Sequence, residues 1–282
     1  MRIINRQNLV HNKQAKVCRM ALEAPAIAAK ARPGQFVVVM AVKEGERIPL
    51  TIVDADKDKG TITLIFQAVG FTTELLCKFK EGDSLYALSG PLGHATEIKK
   101  YGTVAVVGGG VGIAEVLPVA KAFKAAGNRV ISILGARSKE LLILEEEMRA
   151  VSDELHITTD DGSYDRKGFV TDILKELIAP QTTDPGVDLV YAVGPIPMMQ
   201  RVAQITLEPK IKTLVSLNAL MVDATGMCGC CRVTVGGKVK FSCVDGPEFD
   251  AHQVDWEELE RRGKIYGEKE KHICKLAGRV GL

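Results

Sequence analysis

The 282-residue sequence has no excess of charge of either sign. Its formal net charge is +2, and no run of lysine and arginine is dense enough to build a strongly basic surface. Proteins that bind nucleic acids through the phosphate backbone need such a surface. We therefore expect no nucleic-acid partner.

Long hydrophobic runs are also missing. The longest apolar runs have about ten residues or fewer, whereas a helix that spans a bilayer needs about 20. The stretch 1–14 lacks the apolar segment of a secretory signal peptide. These absences predict a cytoplasmic protein with no membrane partner.

The sequence shows no pattern of a catalytic triad or of paired catalytic carboxylates. Its five histidines are scattered: His11, His94, His156, His252 and His272. We expect each to be solvated or bonded locally. Chemistry carried by a bound cofactor is then favoured over chemistry carried by side chains.

Cysteines are present and unevenly placed. Four lie in a short stretch: Cys228, Cys230, Cys231 and Cys243. The other three are isolated: Cys18, Cys77 and Cys274. In a reducing cytoplasm we expect no disulfide framework, so the isolated three are predicted to be buried small side chains or surface thiols. The clustered thiols predict a site for zinc, copper(I) or an iron–sulfur cluster.

The hydrophobic pattern divides the chain into three predicted domains. Residues 1–98 contain short β-branched runs between glycine turns, which predict a β-barrel with strands at 34–42, 47–56, 60–69 and 83–93 and a helix at 72–79. Residues 99–212 alternate buried strands with helices, which is typical of a doubly wound α/β domain. Residues 213–282 hold the clustered cysteines and a predicted surface helix within 256–272. This last part has so little apolar material that it needs a metal or a partner for stability.

Three glycine or proline motifs are candidates for phosphate binding. Gly108, Gly110 and Gly112 follow a buried strand and precede a helix, where free backbone N–H groups bind phosphate. The same pattern also fits a plain tight turn. The turn at Gly194–Pro195 opens the carboxyl end of another buried strand, and the Arg-Ile-Pro-Leu-Thr stretch at 47–51 offers a guanidinium and a hydroxyl. Taken singly, both also fit ordinary structural roles.

The order of these motifs resembles that of the ferredoxin-reductase-like flavoproteins. Arg-x-Pro-Leu-Thr and Gly-Pro-Leu-Gly in a barrel precede Val-Gly-Gly-Gly-Val-Gly and Gly-Pro-x-x-Met in an α/β domain. The resemblance implies FAD on the barrel, at Arg47, Pro49, Leu50, Thr51, Gln67, Gly70, Thr72, Thr73, Gly90, Pro91, Leu92 and Gly93. It implies NAD(H) or NADP(H) on the α/β domain, at Gly109, Gly110, Gly112, Ile113, Arg137, Gly194, Pro195 and Met198.

The cysteine-rich third part resembles electron-transfer subunits within that family. The stretches at 221–256, 135–148 and 160–174 are similar to the small subunits of NADH-dependent reduced ferredoxin:NADP⁺ oxidoreductases. The electron-transfer subunit of dihydroorotate dehydrogenase is a second resemblance, and its C-x4-C-x2-C…C pattern has Asp223 at the first position here. The resemblance implies a 2Fe–2S cluster on Asp223, Cys228, Cys231 and Cys243, with Cys230 a bystander.

The same resemblance implies a partner and a direction for the chemistry. A larger flavin and iron–sulfur subunit would bifurcate electrons and handle ferredoxin and NADP(H), so this chain would exchange electrons between NAD(H), FAD and the cluster. Arg137 and Ser138 end the second strand of the α/β domain without an acidic residue, which by ribose recognition would favour NADP(H). Two alternatives stay open: service to a dihydroorotate dehydrogenase, and a non-enzymatic redox-sensing module.

Overall fold

A computed structural model describes residues 1–179, 186–265 and 267. The first part of the chain forms one antiparallel sheet in the order β1-β2-β5-β4-β3-β6. Its strands are β1 Ile3–His11, β2 Lys16–Glu23, β3 Phe36–Met40, β4 Arg47–Asp56, β5 Thr61–Gln67 and β6 Ala87–Leu92. The short helices are α1 Pro25–Ala28 and α2 Phe71–Leu76. A bridge between Arg2 and Ser84 joins the start of β1 to the segment before β6 and closes the sheet into a barrel.

The hairpin of β1 and β2 is the part of the barrel that the sequence pattern misses. Strand β1 carries polar and exposed residues through its middle, so it shows no regular apolar alternation. It is held instead by pairing along its length with β2, from Ile3 opposite Leu22 to His11 opposite Lys16. The four predicted strands and the predicted helix at 72–79 correspond to β3, β4, β5, β6 and α2.

The second part of the chain forms a mostly parallel sheet in the order β10-β9-β8-β7-β11-β12-β15. Its strands are β7 Thr103–Gly109, β8 Arg129–Ala136, β9 Glu154–Thr159, β10 Arg166–Lys167, β11 Leu189–Val193 and β12 Lys212–Ser216. The helices are α3 Gly112–Ala125, α4 Glu145–Val151, α5 Val170–Leu177 and α6 Ile196–Leu207. Every residue of β7 and β11 is buried, as the apolar runs predicted. The strand that follows β7 in the chain, β8, lies on one side of the β7–β11 pair, and the strand that follows β11, β12, lies on the other. A crevice therefore opens between the carboxyl ends of β7 and β11.

The third part contributes to the same sheet rather than standing alone. Its elements are the hairpin β13 Arg232–Val235 and β14 Lys238–Phe241, helix α7 Ser242–Asp245, strand β15 Glu248–Asp250 and helix α8 Trp256–Gly263. Strand β15 pairs antiparallel with β12, with Val215 opposite Phe249. The predicted boundary at 212/213 therefore falls inside β12, and the cysteine-bearing segment is anchored on the α/β sheet.

Helix α8 begins the predicted surface helix. Asp255 caps its start by accepting a hydrogen bond of 2.9 Å from the backbone N–H of Glu258. Helix α8 ends at Gly263, short of the predicted end at 272; residue 266 and residues 268–272 lie outside the described residues, as does Cys274. Among the residues that the structure describes, no helix combines the length and the apolar character needed to cross a membrane.

The prediction that Cys18 and Cys77 are unpaired was wrong, because the structure joins them in a disulfide. Cys18 lies on β2 and Cys77 directly follows α2, with Cα atoms 6.3 Å apart although 59 positions separate them in the sequence. Both side chains are buried in the barrel core. The sequence spacing hides this contact, since it depends on how α2 packs against β2.

Gly112 tests the packing of α3 on the sheet. A methyl group at this position would lie 2.7 Å from the carbonyl carbon of Val193, and the β11 backbone cannot move away. We expect Gly112→Ala to lower the free energy of unfolding by about 1 to 3 kcal/mol, as overpacked cores do. Gly186→Ala is the matched control, because no atom lies within 4 Å of its added methyl group. Urea denaturation of both variants checks this, and equal stability would contradict it.

Candidate functional site

A cleft of about 960 Å³ lies between the barrel and the α/β domain. Strands β4 and β5 of the barrel form one wall, and the turns after β7, β8, β9 and β11 form the other. Twelve of the predicted cofactor-binding residues line it: Pro49, Leu50, Thr51, Gln67, Thr73, Gly109, Gly110, Gly112, Arg137, Gly194, Pro195 and Met198. Residues from both predicted cofactor sites thus face one common space.

The α/β wall is built from two turns in contact. Gly109 ends β7, and a side chain there would lie against the sulfur of Met198 and 3.2 Å from the ring of Pro195. Gly110 has φ +58 and nothing within 4 Å of an added Cβ, so its backbone is open to the cleft. Glycine tolerates that conformation at little cost. This open glycine at the start of α3 fits a phosphate-bearing dinucleotide.

The barrel wall is built from β4 and from the start of α2. Pro49, Leu50 and Thr51 lie on β4, next to β3 and β5 in the sheet. Thr73 fixes the turn into α2, since its hydroxyl accepts hydrogen bonds of 3.0 Å from the N–H groups of Val69 and Gly70. This wall is largely apolar with a few polar groups, which suits a flat aromatic ring system.

Three of the predicted residues lie on the barrel or α3 but do not line the cleft. Gly70 is the residue before α2, and Thr72 is buried with its hydroxyl donating to Glu46 at 3.0 Å. Ile113 is fully buried in the core beneath α3. Their placement is compatible with shaping the walls, and their contact with cofactors stays a prediction.

The predicted stretch Gly90, Pro91, Leu92 and Gly93 lies behind the cleft wall. An added Cβ at Gly93 would be 2.8 Å from both the ring of Phe36 and the ring of Pro247, and those two residues line the cleft. Gln35 donates a hydrogen bond of 2.9 Å to the Gly93 carbonyl. The stretch therefore packs the barrel against the third part of the chain.

Among the cleft residues that the sequence prediction did not include is Glu115. It lies in the first turn of α3, and its Oε2 accepts a hydrogen bond of 3.3 Å from the hydroxyl of Thr51. Burial raises the pKa of Glu115 to about 7, and the Thr51 hydrogen bond opposes the rise. Its place shortly after Gly110 was visible in the sequence, but its partner on the barrel was not.

The four predicted cluster ligands form two pairs in the structure. The sulfurs of the buried Cys231 and Cys243 are 3.2 Å apart. Asp223 and the exposed Cys228 interact, and this contact helps the backbone N–H of Thr225 to hold the pKa of Asp223 below its usual value. No group of three or more His, Cys, Asp or Glu side chains suited to a single metal ion is found within residues 1–179, 186–265 and 267.

Two pairs are what a two-iron cluster needs, because each iron takes two protein ligands besides the bridging sulfides. The geometry thus fits a 2Fe–2S cluster better than a zinc ion, which needs four converging ligands. Burial and the neighbouring Cys231 raise the pKa of the Cys243 thiol to about 12, and the N–H of Gly226 opposes the rise. Iron would favour the thiolate form of such a pair.

The two sites approach each other at Arg47. This residue begins β4 and is exposed, and it does not line the cleft. Its positive charge contributes to the lowered pKa of Asp223. The barrel strand that carries Pro49, Leu50 and Thr51 into the cleft therefore also reaches the predicted cluster. The Cys230 thiol also lies beside Cys228, and burial and that contact raise its pKa, while its carbonyl accepts a hydrogen bond of 3.0 Å from Arg262; its predicted role as a bystander stays a prediction.

Sequence relatives decide the family. The chain is 48% identical over 250 residues to a dihydroorotate dehydrogenase B (NAD⁺) electron transfer subunit homolog of Thermotoga maritima, covering 89% of this chain and 87% of that one. The chain belongs to this family of electron transfer subunits. Another member, from Caldanaerobacter subterraneus, is 35% identical over 230 residues, covering 80% of this chain and 87% of that one.

Solved structures and family models agree with that assignment. A chain solved for the "NADH-dependent reduced ferredoxin-NADP oxidoreductase" is 44% identical with a TM-score of 0.89, covering 97% of this chain and 96% of that one. A ferredoxin-NADP⁺ reductase of Plasmodium falciparum is 13% identical with a TM-score of 0.60, covering 75% and 93%, and shows the shared fold. The model of an oxidoreductase NAD-binding domain matches 106–204, and that of the iron–sulfur cluster binding domain of dihydroorotate dehydrogenase B matches 218–255.

These findings confirm the predicted fold class and cofactors. This chain has a ferredoxin-reductase-like fold with a C-terminal iron–sulfur part. Its cofactors are FAD, NAD(H) and a 2Fe–2S cluster. The individual binding residues and the three domain boundaries stay predictions.

The predicted ligand set can be tested at Asp223. We expect Asp223→Cys to keep the cluster but to change its EPR spectrum, because a thiolate replaces a harder oxygen on one iron. Asp223→Ala should lower iron retention during gel filtration at least about tenfold, by loss of a ligand. Cys230→Ser is the control, and its iron content and spectrum should match the wild type. An unchanged spectrum in both Asp223 variants would remove Asp223 from the set.

Proposed function

We propose that this chain is the subunit of an electron-bifurcating flavoprotein complex that oxidises NADH or reduces NAD⁺. It moves electrons between NAD(H), FAD and its 2Fe–2S cluster, and exchanges them with a larger flavin and iron–sulfur subunit that handles ferredoxin and NADP(H). The observation that carries this proposal is that the glycine turns of β7 and β11 line the same cleft as Thr51 and its neighbours on β4. The similarity to the bifurcating oxidoreductase chain supports the partner.

The walls of the cleft suit a hydride transfer. The open turn at Gly110 and the Gly194–Pro195 turn hold the nicotinamide nucleotide, and Pro49, Leu50 and Thr51 hold the flavin. Rings held on these two walls would face each other across one cleft, as a direct hydride transfer requires. When bound, the flavin accepts a two-electron hydride and passes single electrons on. Arg47 at the edge of the same strand supports an exit toward Asp223 and Cys228.

The structure offers an acidic residue for ribose recognition that the second strand lacks. Asp160 follows β9 and Arg137 follows β8, and both line the cleft. The strands pair in parallel with Ala136 opposite Thr159, so the two residues are neighbours. Partial burial raises the pKa of Asp160, and the charge of Arg137 opposes the rise. A carboxylate here accepts hydrogen bonds from a ribose and repels a 2′-phosphate, which supports NAD(H) over NADP(H).

Asp160 therefore gives a test of nucleotide preference. We expect the wild type to bind NADH more tightly than NADPH, and Asp160→Ser to shift the ratio of the two dissociation constants toward NADPH at least about tenfold, through lost repulsion. Asp161→Asn is the matched control, because Asp161 is the neighbouring carboxylate but does not line the cleft, and it is hydrogen-bonded to the backbone N–H and the side chain of Ser163. Fluorescence titration with both nucleotides measures the ratio, and an NADPH preference in the wild type would overturn the NAD(H) assignment.

Exposed apolar side chains surround the predicted cluster. Met227 is 85% exposed, and Val222 and Val244 are 47% and 41% exposed. All three adjoin a predicted ligand in sequence, and Val244 packs against Gly226. Exposed apolar groups next to an electron-transfer centre favour a protein partner over free solvent. We propose that the larger subunit covers this surface.

Met227 tests the proposed contact surface. We expect Met227→Lys to weaken assembly with the larger subunit at least about tenfold, because a charge would be buried in an apolar interface. Leu207→Lys is the control, since Leu207 is 57% exposed at the far end of α6 from the cleft. Analytical ultracentrifugation of the co-expressed subunits measures assembly, and equal behaviour of the two variants would move the interface elsewhere.

The proposed function as a whole is tested by purification from the native host. A tagged chain should carry one FAD and one 2Fe–2S cluster and should copurify with a larger iron–sulfur flavoprotein. Anaerobic NADH should bleach the flavin and reduce the cluster. Copurification with an enzyme that oxidises dihydroorotate would favour the second candidate, which the names of the sequence relatives support. A chain without flavin would favour a redox-sensing module. The cytoplasmic location stays a prediction.

A further inference from the structure

Glu115 lines the cleft but has no task in the proposed function. It belongs to α3 of the α/β domain, whereas its hydrogen-bond partner Thr51 belongs to β4 of the barrel. The 3.3 Å contact between them thus spans the seam between the two walls. The nicotinamide and the flavin have to meet at this seam if they occupy the proposed walls.

The surroundings of Glu115, in the part of the chain that the structure describes, leave its charge uncompensated. Lys121, the next basic residue of α3, lies 3.6 Å from Asp54 of β4 and is occupied there. Tyr191 of β11 is fully buried, is hydrogen-bonded to Thr96 and Glu248, and interacts with Glu115 only electrostatically. The other charged side chains that line the cleft are Arg137, Asp160, Asp172, Lys175 and Arg201. Burial places the pKa of Glu115 at about 7, so this carboxyl group gains and loses a proton near neutral pH.

The proposed reaction requires a proton acceptor at this seam. Oxidation of NADH yields NAD⁺, two electrons and one proton. A hydride carries both electrons and the hydrogen to the flavin together, whereas an iron–sulfur cluster accepts single electrons. The proton must therefore leave the flavin by a route of its own whenever the electrons move on to the cluster.

We propose that Glu115 takes up this proton through the hydroxyl of Thr51. A proton released by a reduced flavin held on the β4 wall would reach Thr51 Oγ1, while the Thr51 O–H bond gives its own proton to Glu115 Oε2. The two electrons leave through the cluster, so atoms and charge balance, and the protonated carboxyl returns its proton to water in the open cleft. When electrons arrive from the cluster, the same groups work in reverse. Glu115 acts through the hydroxyl of Thr51 and not by touching a cofactor itself. The inference rests on the proposed function.

The sign of the expected pH dependence follows from the protonation of Glu115. A protonated carboxyl cannot accept a proton, so the transfer slows as the pH falls below the Glu115 pKa. We expect the rate of electron transfer out of the NADH-reduced flavin to fall about tenfold per pH unit in that range, and to level off at higher pH. Glu115→Gln keeps the shape and the acceptor for Thr51 but takes up no proton. Its profile should be flat and its rate at about pH 8 at least about tenfold lower than that of the wild type.

The experiment uses the full chain with FAD and its cluster, reduced by one equivalent of NADH and then mixed with ferricyanide in a stopped-flow instrument. A second readout is the reduced-minus-oxidised infrared spectrum, where a protonated carboxyl band should be present in the wild type and absent in Glu115→Gln. Asp54→Asn is the matched control, because it changes a carboxylate on the same β4 and α3 interface without contacting Thr51. Thr51→Val removes the hydroxyl and should give the same pH profile as Glu115→Gln. Thr51→Ser retains the hydroxyl and should keep the wild-type profile.

The outcomes separate this inference from the proposed function. FAD content and bleaching by NADH are measured first, and their absence in the wild type would defeat the proposed function. If both are intact in the wild type and in Glu115→Gln, an unchanged pH profile together with an unchanged carboxyl band would overturn the role of Glu115 alone.

Discussion

The backbone hydrogen bond from the N–H of His94 to the carbonyl oxygen of Gly246 joins the end of the barrel to the segment that follows Cys243, at 2.7 Å. The N–H of Leu217 donates to the carbonyl of the next residue, Pro247, at 2.9 Å, which ties the same segment to the exit of β12. Thr96 and Glu248 add a side-chain hydrogen bond of 2.6 Å. Electron transfer among three cofactors needs fixed distances, and these contacts hold the barrel, the sheet and the cysteine segment together.

Much of this arrangement can be predicted from the sequence where the signal is local. The buried strands β7 and β11 appear as unbroken apolar runs, and Gly108–Gly112 and Gly194–Pro195 mark the turns that follow them. Because parallel strands place their carboxyl ends on one edge, two motifs far apart in the sequence were expected to share a crevice. The clustered cysteines likewise indicated a metal or iron–sulfur site, and the resemblance to electron-transfer subunits singled out Cys228, Cys231 and Cys243.

Features that depend on long-range packing could not be predicted in this way. Glu115 looks like an ordinary first-turn acid until β4 brings Thr51 against it. The contact of Gly93 with Pro247, far along the chain, is likewise invisible in the local sequence. Cys18 and Cys77 show no spacing that suggests a bond. Strand β15 has only three residues, too few for a recognisable strand pattern, and it is a strand because it pairs with β12.

Strand β15 also determines how this protein could be divided or rebuilt. Without it β12 would present an open row of backbone donors and acceptors, the kind of edge on which sheets aggregate. Three residues of the cysteine-bearing segment, Glu248–Asp250, cover that edge. The α/β domain therefore depends on the segment to complete the edge of its sheet. An engineered chain that exchanged the cluster for another redox centre would have to supply a replacement edge strand too.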